Sequence, residues 1–120
     1  MIHHIITYVV IVAGGQGARM GTAIPKQFLE IQGKPVLYHT IRAFTGSLPD
    51  AKIILVLPAQ QISYAQMVLQ HFPERLDVTI VAGGATRFHS VQNGLKVITA
   101  PGIIMVHDGV RPLINHELIL

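Results

Sequence analysis

Apolar residues in this chain recur with two different periods. Residues 5–12 (IITYVVIV) are apolar almost without interruption and rich in β-branched side chains. That pattern predicts a strand buried on both faces. Further short runs at residues 53–57, 78–81 and 103–106 predict three more strands. Between them the period lengthens to that of a helix. Residues 35–45 carry Leu37, Ile41 and Phe44 on one face, with Pro35 in the first turn and Gly46 placed to close it. Residues 62–72 carry a stripe of Ala65, Val68, Leu69 and Phe72. In residues 88–98, Phe88, Val91, Leu95 and Ile98 fall on one side, with Gly94 interrupting. Asn115 is placed to cap one more helix.

Strand–helix alternation predicts an α/β domain: a Rossmann-like, doubly wound, mostly parallel sheet with helices on both faces and right-handed crossovers. Residues 1–120 read as a single nucleotide-binding portion, without repeat, linker or low-complexity tract. In open sheets of this kind ligands gather beyond the carboxyl ends of the strands. The unusual residues do follow strands: residues 13–26 after the first, 83–90 after the third and 108–111 after the fourth. Their convergence on one rim carries more weight than any single motif.

Composition narrows the classes. Half the residues are hydrophobic and 12% are charged, which excludes a disordered chain. There is no cysteine, hence no disulfide framework and no thiolate metal site. The apolar run at residues 5–13 is far below the roughly 20 residues of a membrane span. No Lys or Arg precedes it and turn glycines follow at once, against a signal peptide. The expected location is the cytoplasm, without a membrane role. The net charge of +3 suits an anionic small molecule, although a short chain also reaches that excess by chance. Without a Lys/Arg run or interleaved aromatics, nucleic acid is not an expected partner.

The candidate chemistry begins with Ala13-Gly14-Gly15-Gln16-Gly17-Ala18-Arg19-Met20 and Lys26. Glycines let backbone N–H groups approach phosphate oxygens. Arg19 can fork onto two of them and Lys26 adds a compact charge. Gly33-Lys34 runs into Pro35, so no Walker A loop is present. Gly15-Gln16-Gly17 starts a dinucleotide fingerprint, but Met20 stands where its third glycine belongs. A plain glycine-rich turn remains the structural alternative.

With the following Phe28-Leu29 and Gly33-Lys34-Pro35-Val36-Leu37, this run resembles the nucleotidyltransferases of sugar and alditol phosphates. Gly83-Gly84-Ala85-Thr86-Arg87-Phe88-His89-Ser90-Val91 and Val106-His107-Asp108-Gly109-Val110-Arg111-Pro112 narrow the resemblance to the 2-C-methyl-D-erythritol 4-phosphate cytidylyltransferase family. It spans nearly the whole chain and implies transfer of CMP from CTP to a phosphorylated polyol. In that family Arg19 and Lys26 would be catalytic, stabilising the charge on the phosphates. Ala13, Gly14, Gly15 and Gly17 would supply backbone amides. Gly84 would read cytosine, Ser90 the ribose, and Arg87 would position their loop. Asp108 would hold Mg²⁺, and Arg111 would face the acceptor or brace the Asp108 loop. Where some relatives carry an acid this chain has Ala85, which leaves base contact to the backbone. Family members run well beyond residue 120 and form homodimers, so the acceptor half of the site is expected outside this sequence.

Plainer readings accompany several of these residues. Asp108 can cap a turn, Arg87 can pair with Asp108, and Ser90 can be an ordinary polar residue of an early helical turn. His107 alternates in face with Asp108 on a strand and reads as structural. His3-His4 lacks metal-site spacing, and Tyr38, Phe44 and Phe72 read as core. Ribitol-5-phosphate cytidylyltransferase is the nearest functional alternative, a guanylyl- or uridylyltransferase a further one, and a non-catalytic CTP-binding fragment the alternative of another class.

Overall fold

The computed structural model of the chain describes residues 5–13 and 30–108. Strand β1 (Ile6–Val12) leads, after the segment 14–29, to a small antiparallel hairpin, β2 (Glu30–Ile31) and β3 (Lys34–Pro35). Helix α1 (Val36–Ser47) and strand β4 (Lys52–Leu57) follow. A 3-10 turn (Ala59–Gln61) then enters helix α2 (Ile62–Leu69). Strand β5 (Val78–Ala82), helix α3 (Arg87–Lys96) and strand β6 (Gly102–Asp108) complete the described chain. Four strands form one sheet in the order β5-β4-β1-β6, parallel throughout.

The two inner strands, β1 and β4, are the most apolar and the most buried. Val9, Val10 and Ile11 are fully buried, and alternate residues of β1 feed two cores. Val9 and Ile11 pack with Leu37, Ile41 and Phe44 of α1 and with Ala65 and Val68 of α2. Tyr8, Val10 and Val12 face the other way, with Ile54 and Val56, toward Val91 and Ile98 on the α3 side. Helices therefore cover both faces, and each fully buried Val or Ile contributes on the order of 1.5–3 kcal/mol over an exposed one. Thr40, fully buried in α1, directs its hydroxyl back to the Val36 carbonyl at 3.4 Å. Phe44 and Phe72 are core, and Tyr38 packs against them.

The structure corrects the expected elements in four places. The hairpin was not foreseen: its strands are two residues each, too short for a period to show. Pro35 belongs to β3 and is the N-cap of α1 rather than its first turn, while Gly46 lies inside the helix, which ends at a cap on Leu48. Helix α2 stops at Leu69, and Phe72 returns to the core from the turn that follows. The stripe read from periodicity on α3 holds only in part: Val91 and Ile98 pack toward the sheet, but Phe88 and Leu95 do not. Phe88 is 67% exposed and Leu95 is 38% exposed, whereas Ser90 and Gly94 are buried. The cause is close approach. A Cβ on Gly94 would sit 2.9 Å from both Val10 Cγ1 and Val56 Cγ2, so α3 approaches the sheet most closely at Gly94, with Val91 and Ile98 packing beside it. Asn115 falls outside the described residues.

Candidate functional site

The strand order makes a place for a ligand. From β1 the chain moves outward through β4 to β5, then returns to the opposite side of β1 as β6. Neighbouring connections thus diverge between β1 and β6, the topological switch point where open α/β sheets bind ligands beyond their carboxyl ends. Register fixes what meets there. Val12 at the end of β1 is paired with Asp108 at the end of β6. Ala13 follows Val12, is fully buried, and donates its N–H to the Val56 carbonyl at 2.8 Å. That amide continues the sheet, which corrects the expectation that Ala13 offers its N–H to phosphate: the donor is already taken, and the chain leaves the ladder only after Ala13.

The third rim segment is held by side chains. The Gly83 N–H donates to the Leu57 carbonyl at 2.8 Å, extending the β4–β5 pairing by one residue. The Gly84 N–H donates to Ser90 Oγ at 3.1 Å, and Ser90 is 6% exposed. Thr86 caps α3: its Oγ1 accepts the His89 N–H at 3.2 Å and lies 2.9 Å from His89 Nδ1. Asn93 Nδ2 donates to the Ala82 carbonyl at 3.1 Å, tying α3 to the end of β5. Gly84 also permits a tight turn, since a Cβ there would be 2.5 Å from His89 Cβ. The loop is pinned from inside while Gly84 itself remains exposed. Arg87, the first residue of α3, is exposed and has no carboxylate partner among the described residues.

Of the residues singled out from sequence, the structure therefore brings Ala13, Gly84, Arg87, Ser90 and Asp108 to the carboxyl ends of the strands. Gly14, Gly15, Gly17, Arg19, Lys26 and Arg111 lie outside the described residues. His107 pairs with Ile11 in register and its ring meets Phe44 edge-on, with centroids 5.0 Å apart, in keeping with a structural role. Among the described residues no cluster of three metal-ligating side chains occurs.

Among the described residues, shifted ionisable groups occur in two side-chain pairs on the scaffold. The Arg42 guanidinium hydrogen-bonds Glu74 at 2.7 Å, which raises the arginine above its ordinary value and holds the Glu74 carboxyl below the usual range. Lys52, at the start of β4, is raised by its hydrogen bond to Asp77 at 3.0 Å. Both are exposed pairs on the scaffold, and exposed pairs contribute little to stability.

Comparison with known proteins agrees with this geometry. Residues 7–120 match the family described as 2-C-methyl-D-erythritol 4-phosphate cytidylyltransferase. The protein of that name from Bacteroides thetaiotaomicron is 49% identical over 111 residues, covering 92% of this chain and 51% of the relative. The one from Phocaeicola vulgatus is 50% identical over 112 residues, covering 93% and 51%. The crystal structure of 4-diphosphocytidyl-2C-methyl-D-erythritol synthase from Anaerococcus prevotii superposes with a TM-score of 0.77 at 28% identity, over 95% of this chain and 47% of that one. The chain spans about half the length of the curated relatives it matches. With the parallel sheet and its switch point, and a family match over residues 7–120, this chain belongs to the 2-C-methyl-D-erythritol 4-phosphate cytidylyltransferase family.

Proposed function

We propose that the protein to which this chain belongs transfers CMP from CTP to 2-C-methyl-D-erythritol 4-phosphate, releasing pyrophosphate. The observation that carries this reading is the order of the rim segments. Strands stand about 4.8 Å apart. The Gly84 loop at the end of β5 therefore lies about 10 Å along the rim from the end of β1, with Asp108 on the far side of β1. A nucleoside triphosphate needs that separation, with its base at one end of a groove and its phosphates at the other.

In this reading the backbone around Gly84 faces cytosine, the Ser90 hydroxyl braces that backbone and faces the ribose, and Arg87 holds the loop. The amides of Gly14, Gly15 and Gly17 cradle the phosphates. An oxygen of the acceptor phosphate attacks the α-phosphorus in line, the bond to the β-phosphate breaks, and pyrophosphate leaves. Arg19 and Lys26 stabilise charge on the transferring and leaving groups. Asp108 is a half-buried carboxylate paired in register with Val12 at the end of β1, a donor suited to a Mg²⁺ that would keep phosphate oxygens and water as its other ligands. The ion would supply charge neutralisation. Arg111 faces the acceptor or braces the Asp108 loop. We take the partners to be CTP and the phosphorylated polyol, in a cytoplasmic homodimer, with no nucleic-acid or membrane role. Among the described residues no helix is long and apolar enough to cross a membrane.

The test is to give the purified gene product CTP and Mg²⁺ with methylerythritol phosphate or ribitol 5-phosphate, following pyrophosphate and the CDP-alcohol by mass spectrometry. Product from the first acceptor is expected. Turnover of ribitol phosphate alone would overturn the assignment. A protein that binds CTP calorimetrically without turning over either acceptor would be a binding module instead.

A further inference from the structure

The hairpin β2–β3 is too small to hold itself. Isolated two-stranded hairpins are marginal in water even when long, and this one has two residues per strand. Its turn places Gln32 at φ 55° and Gly33 at φ 81°, the left-handed pair of a tight hairpin turn. Two imidazoles fasten it to the domain. His39, half-buried in α1, has Nε2 2.6 Å from the Ile31 carbonyl oxygen. A carbonyl only accepts, so Nε2 carries the proton and donates. On the other strand, Lys34 Nζ lies 3.5 Å from His71 Nδ1 and 5.4 Å from the Tyr38 ring centroid. An ammonium only donates, so His71 Nδ1 accepts there. The His39 contact is short, while the Lys34 contact sits at the limit of a hydrogen bond. His39 is the main fastening.

The covalent position of the hairpin gives this fastening a consequence. Segment 14–29 joins Ala13, locked into the sheet by Val56, to Glu30, the first hairpin residue. Arg19 and Lys26 lie in that segment, Lys26 four residues before Glu30. We infer that His39 is a positioning residue: by donating to the Ile31 carbonyl it fixes the hairpin against α1 and thereby sets the second anchor of the chain that carries Arg19 and Lys26. The inference rests on the transfer reading above for its effect on catalysis, but the fastening itself does not.

The test compares wild-type gene product with His39→Leu, which removes the donor, and His39→Gln, whose amide nitrogen reaches about as far as Nε2. Amide hydrogen exchange over residues 31–34 reads the fastening, and steady-state kinetics with CTP read the consequence. His39→Leu should exchange about five- to tenfold faster in the hairpin, as for loss of one hydrogen bond. Its kcat should fall about ten- to a hundredfold, because a displacement near 1 Å of a charge-stabilising group costs that much. His39→Gln should restore both toward wild type. Unchanged exchange or unchanged kcat in His39→Leu overturns the inference, as does a His39→Gln variant that is equally impaired in both. If wild-type protein left CTP unconverted, the transfer reading would fall. Hairpin exchange and CTP affinity by calorimetry would then decide the role of His39, and values in His39→Leu equal to wild type would overturn it.

Discussion

Ser90→Ala isolates the bond that shapes the loop at the end of β5. Ser90 is 6% exposed, and its Oγ accepts the Gly84 N–H at 3.1 Å. A typical intramolecular hydrogen bond contributes about 1 kcal/mol net, and more when the orphaned donor is buried. Gly84 is exposed, so water can reach the freed N–H and the cost stays near the lower figure, about 1–1.5 kcal/mol. Alanine in place of serine within α3 returns about 0.5 kcal/mol of helix propensity. The net loss is therefore about 0.5–1 kcal/mol, or a Tm lowered by about 2–6 °C for a chain of 120 residues. The effect on ligand binding should be larger than this suggests, since the loop that would face cytosine loses its internal brace. KM for CTP is expected to rise about five- to tenfold with kcat within about twofold, the pattern of lost uniform binding. Differential scanning fluorimetry and initial rates give both numbers. Gly83→Ala probes the same hydroxyl from the other side, because its Cβ would stand 2.8 Å from Ser90 Oγ, and it should reproduce the KM effect. An unchanged Tm together with an unchanged KM in Ser90→Ala would refute the brace. A fall in kcat equal to that in kcat/KM would mean that Ser90 acts on the transition state instead.

Three further outcomes follow from the same structure. Arg19→Ala and Lys26→Ala should each slow turnover at least about a hundredfold while weakening CTP binding less, as for loss of a charge-stabilising donor; full activity in both would end the proposed mechanism. Gly94→Ala should destabilise by about 1–2 kcal/mol in urea titration, since overpacking against Val10 and Val56 outweighs the helix propensity gained; a stabilised variant would show that α3 can move away from the sheet. The Glu74 carboxyl, held low by its hydrogen bond from Arg42, contributes above the ordinary glutamate value near 4.3, and that contribution is lost as pH falls through its lowered folded value. Carboxyl NMR should show Glu74 titrating below an ordinary glutamate and returning to it in Arg42→Met; coincident curves in the two proteins would contradict the pairing.

Much of this was written in local pattern. Four apolar runs became the four parallel strands, because a strand covered on both faces must be apolar on both, and residues 5–12 satisfy that without help from the rest of the chain. The helices between them were equally visible, as was the placing of Ala13, Gly84, Arg87 and Asp108 after strands. The facing of α3 was visible only in part. Of the stripe of Phe88, Val91, Leu95 and Ile98 that periodicity favoured, Val91 and Ile98 do pack toward the sheet, but Ser90 and Gly94 take the places of Phe88 and Leu95, because Val10 and Val56 leave no room for a Cβ at Gly94. Nor did any sequence signal mark the hairpin, whose two-residue strands are held by His39 from a helix eight residues onward. The role of Ser90 as acceptor for Gly84, and the meeting of Val12 with Asp108 at the switch point, depend on which strands become neighbours. Residue type and spacing determined the elements and the family likeness. Strand order and the distance of closest approach between layers, which local pattern does not encode, decided which side chains meet at the rim.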